Sequence, residues 1–192
     1  MRLTPQRACT SLTDVRERAA VTPMSVRPIL KFGEPVLHTP AETVGTFDDR
    51  LAGLFVDMVD TMYAAPGIGL AAPQIGVPLR AIVVDLSVGE DPAQLIQLVN
   101  PELVERDGSQ RHDEGCLSVP GFEGAPPRPE RVVVKGRSIG GDERTYTATG
   151  LLARAFCHEI DHLDGLLFVD RLSPLRRDLL KRRLRKRFRH ED

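Results

Sequence analysis

The sequence predicts an α+β domain in which mixed or antiparallel sheets wrap around one central helix, with a basic helix at the C-terminus. The central helix is predicted by residues 149–165, TGLLARAFCHEIDHLDG, an apolar helical pattern without proline. Short runs of β-type residues precede it, and these favour sheets packed around the helix. A length of 192 residues with 41% apolar composition suits one domain with a hydrophobic core.

The first predicted helix runs from about Asp48 to Ala64. Its apolar residues recur at helical spacing along one face: Leu51, Leu54, Phe55, Met58, Val59 and Met62. The pattern stops at Pro66, and the segment GIGLAAPQIG follows at 67–76. These glycines lack the sequence of a phosphate-binding loop, so we interpret them as bare backbone that another extended chain can approach closely.

Five strands are expected between this segment and the central helix. They are predicted at about 80–86, 95–99, 102–106, 131–136 and 143–148. The dipeptide Asn100-Pro101 separates the second from the third, and Gly140-Gly141 marks a turn before the last.

The central helix carries the pattern HExxH. Thr149 is the predicted N-cap and Gly165 the predicted stop. His158 and His162 are four residues apart, so they project from nearly the same face and can share one metal ion. Glu159 stands where this motif has a carboxylate that carries protons and does not ligate. On the motif alone, a solvated helix face with two ordinary histidines remains the alternative.

A hydrolytic metal site needs a third protein ligand, and the sequence after the helix offers none. Phe168 stands where a metzincin would have its third histidine. Upstream, Cys116 lies in the irregular segment EGCLSVPG at 114–121 and offers a thiolate, although it could equally be a small buried apolar residue. Cys157 points about 100° away from His158 on the helix, so we interpret it as a packing residue.

Charge and cysteine content bound the remaining interpretation. Residues 175–192 contain nine Lys or Arg and three Asp or Glu, a net charge of +6, so residues 1–174 carry −7 of the total of −1. Three cysteines are too few for a disulfide framework and favour a reducing compartment. Residues 1–23 are expected to form a weakly ordered extension or to reflect an upstream start codon; Asp14 and Glu17 argue against a transit peptide.

Three motifs, GIGLAAPQ, EGCLS and HEIDHLDG, follow one another in that order, and over about residues 26–175 the chain resembles the peptide deformylases of the bacterial type. The resemblance implies a catalytic domain at 24–172 between the N-terminal extension and a basic helix at 173–192. It also implies metal-dependent removal of the formyl group from the N-terminal formyl-methionine of newly synthesised polypeptides, with release of formate.

The resemblance further implies a role for each motif residue. Cys116, His158 and His162 would bind one divalent metal ion, with ferrous iron as the expected native ion and zinc, nickel or cobalt as substitutes. Glu159 would be the general acid/base, and Gln74 with the backbone N–H of Leu117 would hold the oxyanion. The implied peptide contacts are Gly67, Ile68, Gly69 and Glu114, and the implied methionine pocket is formed by Leu151, Ala155 and His158.

The expected partners are N-formyl-methionyl nascent peptides and, through the basic helix, the ribosome. No membrane partner is expected, and a bacterial cytoplasm is favoured over an organelle. Two rival functions stay open at this point: a general zinc endopeptidase, and a nucleic-acid-binding protein with a basic C-terminal arm. A solvated basic face is the alternative interpretation of that arm.

Overall fold

The structure is a computed structural model that describes residues 26–188. Within this range it confirms the predicted α+β class. The expectation for residues 1–23 and the last four residues of the basic tail lie outside the described residues. The α-helices are α1 (Asp49–Ala64), α2 (Gly150–Leu163) and α3 (Pro174–Phe188). Short 3-10 helices occupy Pro35–His38, Ala72–Ile75, Pro92–Gln94 and Phe168–Arg171.

Nine strands form three antiparallel sheets in the described part of the chain. The strands are β1 (Gly69–Ala71), β2 (Ala81–Val84), β3 (Ile96–Asp107), β4 (Gln110–Arg111), β5 (Glu114–Gly115), β6 (Glu123–Gly124), β7 (Pro127–Arg128), β8 (Arg131–Arg137) and β9 (Glu143–Thr149). The main sheet has the order β1-β2-β3-β8-β9, and the pairs β4-β7 and β5-β6 form two small sheets.

The main sheet lies between α1 and α2. Both faces of strand β2 are apolar because each packs against a different helix. Ile82 and Val84 belong to the hydrophobic cluster that includes α2, whereas Ala81 and Val83 belong to the cluster that includes α1. Successive side chains of a strand point to opposite faces, so four consecutive apolar residues are the pattern of a strand covered on both sides. The sheet therefore fixes α2 against the core.

Strand β3 corrects one prediction. The sequence predicted two strands separated by Asn100-Pro101, but the structure has one strand across this dipeptide with an irregularity in its pairing to β8. Asn100 adopts a positive φ of 50°, and its side chain accepts from the N–H of Val44 and donates to the Val44 C=O. These two bonds hold the bulge in place, so the strand continues beyond it.

The ends of α1 and α2 are closed in different ways. Asp48 caps α1 by accepting from the N–H groups of Arg50 and Leu51. Thr149 occupies the predicted N-cap position of α2, although its side chain makes no capping hydrogen bond. Gly165 ends α2 with a φ of 73°, as expected of a left-handed glycine stop.

Helix α3 packs on a third hydrophobic cluster. Leu184 is fully buried there with Val119, Phe168 and Val169, and Leu180 and Phe188 pack at its margin. Leu175 and Leu179 are 72% and 51% exposed, so α3 is anchored to the core through its second half. No helix within residues 26–188 has both the length and the apolarity needed to cross a membrane.

Candidate metal centre and active site

Helix α2 and the loop after β5 bring together three side chains of the kinds that bind metals. Cys116, His158 and His162 each offer one ligand atom, and these atoms all lie within 4.8 Å of one another. The Cys116 Sγ lies 3.3 Å from the His162 Nε2, and the two imidazole rings are 5.0 Å apart between centroids. The four-residue spacing on a helix thus produces the expected shared face, and the irregular segment supplies the sulfur.

Glu114 orients one of the two histidines. Its Oε2 lies 3.2 Å from the His158 Nδ1, and both of its oxygens accept from Arg128 at 2.9 Å. Burial opposes ionisation of Glu114, but hydrogen bonds from His158 and Arg128 outweigh it and lower the pKa of this carboxyl. An ionised carboxylate only accepts, so the His158 Nδ1 carries a proton, and a metal would bind at its Nε2.

A pocket opens beside this cluster. It is lined by eleven of the twelve predicted site residues: Gly67, Ile68, Gly69, Gln74, Glu114, Cys116, Leu117, Leu151, Ala155, His158 and Glu159. The remaining one, His162, is 1% exposed. It lies behind the pocket, where its Nε2 contacts the Cys116 sulfur. The Glu114 side chain is engaged with Arg128 and His158, so any peptide contact of this residue involves the backbone of β5.

Gln74 is buried with its carboxamide fixed at both ends. Its Oε1 accepts from the Ala71 N–H at 2.9 Å, and its Nε2 donates to the Ser118 Oγ at 3.2 Å and lies 3.7 Å from the Cys116 Sγ. These contacts direct the NH₂ group towards the Cys116 sulfur. The side chain therefore presents a donor at the site.

Glu159 is a buried carboxyl group beside the ligands. Its Oε2 has no hydrogen-bond partner among the described residues, and burial raises its pKa to about 7. The backbone of Gly69 lies directly against it, because a β-carbon added at Gly69 would lie 2.9 Å from the Glu159 Cδ. A carboxyl group with this pKa can both take up and release a proton near neutral pH.

Comparison with known proteins agrees with this geometry. The model of the polypeptide deformylase family matches residues 26–178. The chain belongs to this family. A peptide deformylase of Acidobacterium capsulatum is 50% identical over 163 residues, which cover 85% of this chain and 96% of that protein. The relative from Thermodesulfovibrio yellowstonii is 49% identical over 162 residues, 84% of this chain and 98% of its own.

Solved peptide deformylases share the fold. The crystal structure of the enzyme from Legionella pneumophila matches with a TM-score of 0.80 at 46% identity, and covers 87% of this chain and 98% of that one. The Ehrlichia chaffeensis peptide deformylase in complex with actinonin matches with a TM-score of 0.77 at 35% identity, over 85% and 98% of the two chains. This chain is therefore a metal-dependent hydrolase that removes the formyl group from formyl-methionyl peptides.

The three clustered side chains of this deformylase, Cys116, His158 and His162, would fit a divalent transition-metal ion. One thiolate and two imidazoles are the donors that such ions prefer, and three protein ligands leave a coordination position open for chemistry. Burial lowers the pKa of His162 well below its ordinary value, so this imidazole is neutral and able to ligate.

The sequence did not predict the ion pairs that lie behind the candidate metal site. Arg128 is 4% exposed and also donates from its Nη1 to the Asp161 Oδ2 at 2.6 Å. Arg171 donates to the other oxygen of Asp161, also at 2.6 Å. Arg128 thus links the Glu114 of β5 to the Asp161 of α2. The one sequence signal was the acidic residue inside HEIDH, whose partner lies 33 residues upstream.

Proposed function

We propose that Cys116, His158 and His162 hold one divalent ion in this deformylase, that Glu159 moves the proton, and that Gln74 and the Leu117 N–H bind the oxyanion. The observation that carries the proposal is the convergence of the three ligand atoms within 4.8 Å beside the buried Glu159 carboxyl. The alternative of two histidines on a solvated face does not account for it, since His162 is 1% exposed.

The substrate would enter along β1. This strand is at the edge of the main sheet, and Gly67, Ile68 and Gly69 line the pocket beside it. An extended peptide can add to such an edge through backbone hydrogen bonds, which read no side chain beyond the first residue. Leu151 and Ala155 would contact the methionine side chain, with the His158 ring next to them.

The reaction adds water to the formyl carbon and breaks the bond between that carbon and the peptide nitrogen. The ion would supply Lewis-acid activation of the water and of the formyl oxygen. Glu159 takes a proton from the attacking water and delivers it to the departing amino group, so formate and a free N-terminus result. Gln74 and the Leu117 N–H donate to the oxygen on which negative charge develops, an interaction worth about 3 to 4 kcal/mol per donor.

Ferrous iron is the proposed native ion, with zinc, nickel or cobalt able to occupy the same ligands. All four accept a thiolate together with imidazoles, so the ligand set supports each of them. Metal analysis of protein purified without oxygen, together with kcat for each reconstituted form, tests this choice.

We further propose that α3 holds the enzyme at the ribosome, close to emerging peptides in a bacterial cytoplasm. Arg182, Arg183 and Lys186 are exposed on this helix and make no ion pair within the described residues, while Leu184 anchors it to the core. Exposed cations can neutralise RNA phosphates and release their counterions.

The deformylase assignment is tested with peptide pairs. Formyl-Met-Ala-Ser and Met-Ala-Ser are offered to protein purified without oxygen, and formate and new amino groups are measured. We expect formate from the first peptide and no cleavage of the second. Cleavage of internal peptide bonds would support the endopeptidase alternative instead.

A further inference from the structure

Residues 30–32 lie against both segments that carry the proposed oxyanion donors. The Leu30 N–H donates to the Gln74 C=O at 2.8 Å, and the Phe32 N–H donates to the Ser118 C=O at 2.9 Å. Between these two bonds, the Lys31 ammonium donates to the Leu117 C=O at 3.0 Å. Three consecutive residues thus join the Gln74 segment to the loop that contains Cys116 and Leu117.

The Lys31 contact falls on the middle of a turn. The Val119 N–H donates to the Cys116 C=O at 2.9 Å, which makes residues 116–119 a β-turn with the Leu117–Ser118 peptide at its centre. The carbonyl of a central peptide takes no part in the hydrogen bond of its own turn. The Leu117 carbonyl is therefore available to a donor from another segment of the chain.

Displacement of this turn would disturb both donors. The Leu117 N–H, one proposed donor, is part of the turn and moves with it. Ser118 moves as well, and its Oγ accepts from the Gln74 Nε2 at 3.2 Å and so directs the second donor. The position of one turn is therefore shared by the Leu117 amide and the Gln74 carboxamide.

Lys31 is suited to fix the position of this turn. Its side chain is half-buried, and within residues 26–188 its ammonium forms no ion pair, so the Leu117 carbonyl is its polar contact. Hydrogen bonds from a charged donor are roughly twice as strong as neutral ones. The bond joins residues 86 positions apart in the chain, so it ties the N-terminal segment to the turn.

We propose that Lys31 is a positioning residue for deformylation: its ammonium holds the Leu117–Ser118 peptide so that the Leu117 N–H and the Gln74 carboxamide meet the same oxygen. The inference rests on the proposed function of these two groups as oxyanion donors. It adds a residue outside the three motifs, acting through the backbone and touching neither substrate nor metal.

The test compares Lys31→Met and Lys31→Arg with wild type under one metal. Lys31→Met keeps the length of the side chain but loses the donor, and we expect kcat to fall about three- to thirtyfold, less than the loss of a whole donor. KM should stay within about twofold, because the oxyanion exists only in the transition state. Lys31→Arg should restore most of kcat, since it retains a charged donor.

Arg27→Met is the matched control. Arg27 lies in the same N-terminal segment and pairs with Asp57 at 2.6 Å, away from the turn, so its loss should leave kcat unchanged. Metal content and Tm are measured for all variants. If Lys31→Met loses metal, or raises KM as much as it lowers kcat, or if Lys31→Arg restores nothing, the positioning role is overturned.

Gln74→Ala separates this inference from the assignment on which it rests. If Gln74→Ala leaves kcat unchanged, the oxyanion assignment fails, and the positioning role fails with it. If Gln74→Ala lowers kcat about a hundredfold and Lys31→Met does not lower it, only the positioning role fails. If both variants lower kcat as expected, Lys31→Met should lower kcat less in the Gln74→Ala background than in wild type. One of the two donors that Lys31 positions is then already absent.

Discussion

Gly69 lies so close to Glu159 that the carboxyl group of the helix fills the space where a β-carbon would be. Such a carbon would stand 2.9 Å from the Glu159 Cδ and 3.1 Å from its Cγ. The absence of a side chain at Gly69 therefore allows the buried Glu159 carboxyl to lie beside the candidate metal site, and in the proposed function it also leaves bare backbone for a peptide. This contact joins the GIGLAAPQ and HEIDHLDG motifs.

Gly69→Ala should lower kcat by about tenfold or more, because a small displacement of Glu159 spoils proton transfer. Metal content should be retained, since neither residue is a proposed ligand. Gly53→Ala is the control: a β-carbon there meets nothing within 4 Å, and alanine in helix α1 should stabilise the protein by up to about 1 kcal/mol. Wild-type kcat in Gly69→Ala would show that Glu159 needs no fixed position.

Arg128→Met should destabilise the fold by about 3 to 5 kcal/mol, because it leaves Glu114 and Asp161 as buried charges without their shared partner. Chemical denaturation measures the loss. Arg131→Met is the control. It removes a cation three residues further along the chain, whose ion pair with Glu105 is exposed, and it should lower the free energy of unfolding by no more than about 1 kcal/mol. Equal losses of stability in the two variants would mean that the buried ion pairs stabilise the fold no more than an exposed one does.

Cys116→Ser should lower the affinity for iron and zinc, because a serine hydroxyl oxygen is a poor substitute for a soft thiolate. Cys157→Ser should leave metal content unchanged, since this residue is buried in the core and burial raises the pKa of its thiol to about 11. Metal analysis after dialysis distinguishes them. Equal metal loss in both variants would remove Cys116 from the ligand set.

The iron form should lose activity in air, whereas the nickel and zinc forms should keep it, because iron and its thiolate are both open to oxidation. Residual formate release is followed over time for each reconstituted form, with an anaerobic sample of each as the control. Identical decay of all forms would contradict a thiolate-bound ferrous ion.

Replacement of Arg182, Arg183 and Lys186 by Gln should weaken ribosome co-sedimentation, most clearly at physiological salt, and leave hydrolysis of a short formyl peptide unchanged. Truncation of α3 is a poorer test, because it would remove the fully buried Leu184 and the Arg187 that stacks over Phe122 at the pocket. The matched control replaces three exposed cations elsewhere, Arg50, Arg106 and Lys135. Equal losses in both triple variants would indicate a general charge effect and no role for α3.

The elements with a local signal were predictable from the sequence. The periodic apolar face of α1, the HExxH helix and the strands at Arg131–Arg137 and Glu143–Thr149 follow from residues close together in the chain. The grouping of Cys116 with the two histidines came from motif resemblance, because no spacing rule connects residues 46 apart. In the structure, the Cys116 sulfur and the His162 ring are in direct contact.

The parts that sequence reasoning missed depend on contacts between distant residues. Strand β3 continues through Pro101 because the Asn100 side chain bonds to Val44, 56 residues upstream. Arg128 and Lys31 each act on a partner in another segment, and neither stands in a recognisable motif. A local pattern cannot report which carbonyl or carboxylate a single cation will reach.

The most direct test of the proposed mechanism is the kcat of Glu159→Gln, measured by formate release with metal content determined on the same sample. Glutamine keeps the shape of the side chain but cannot carry the proton, so we predict full metal binding and a loss of kcat of more than about a hundredfold. If the variant keeps its metal and also keeps more than roughly a few per cent of wild-type kcat, Glu159 is not the proton carrier.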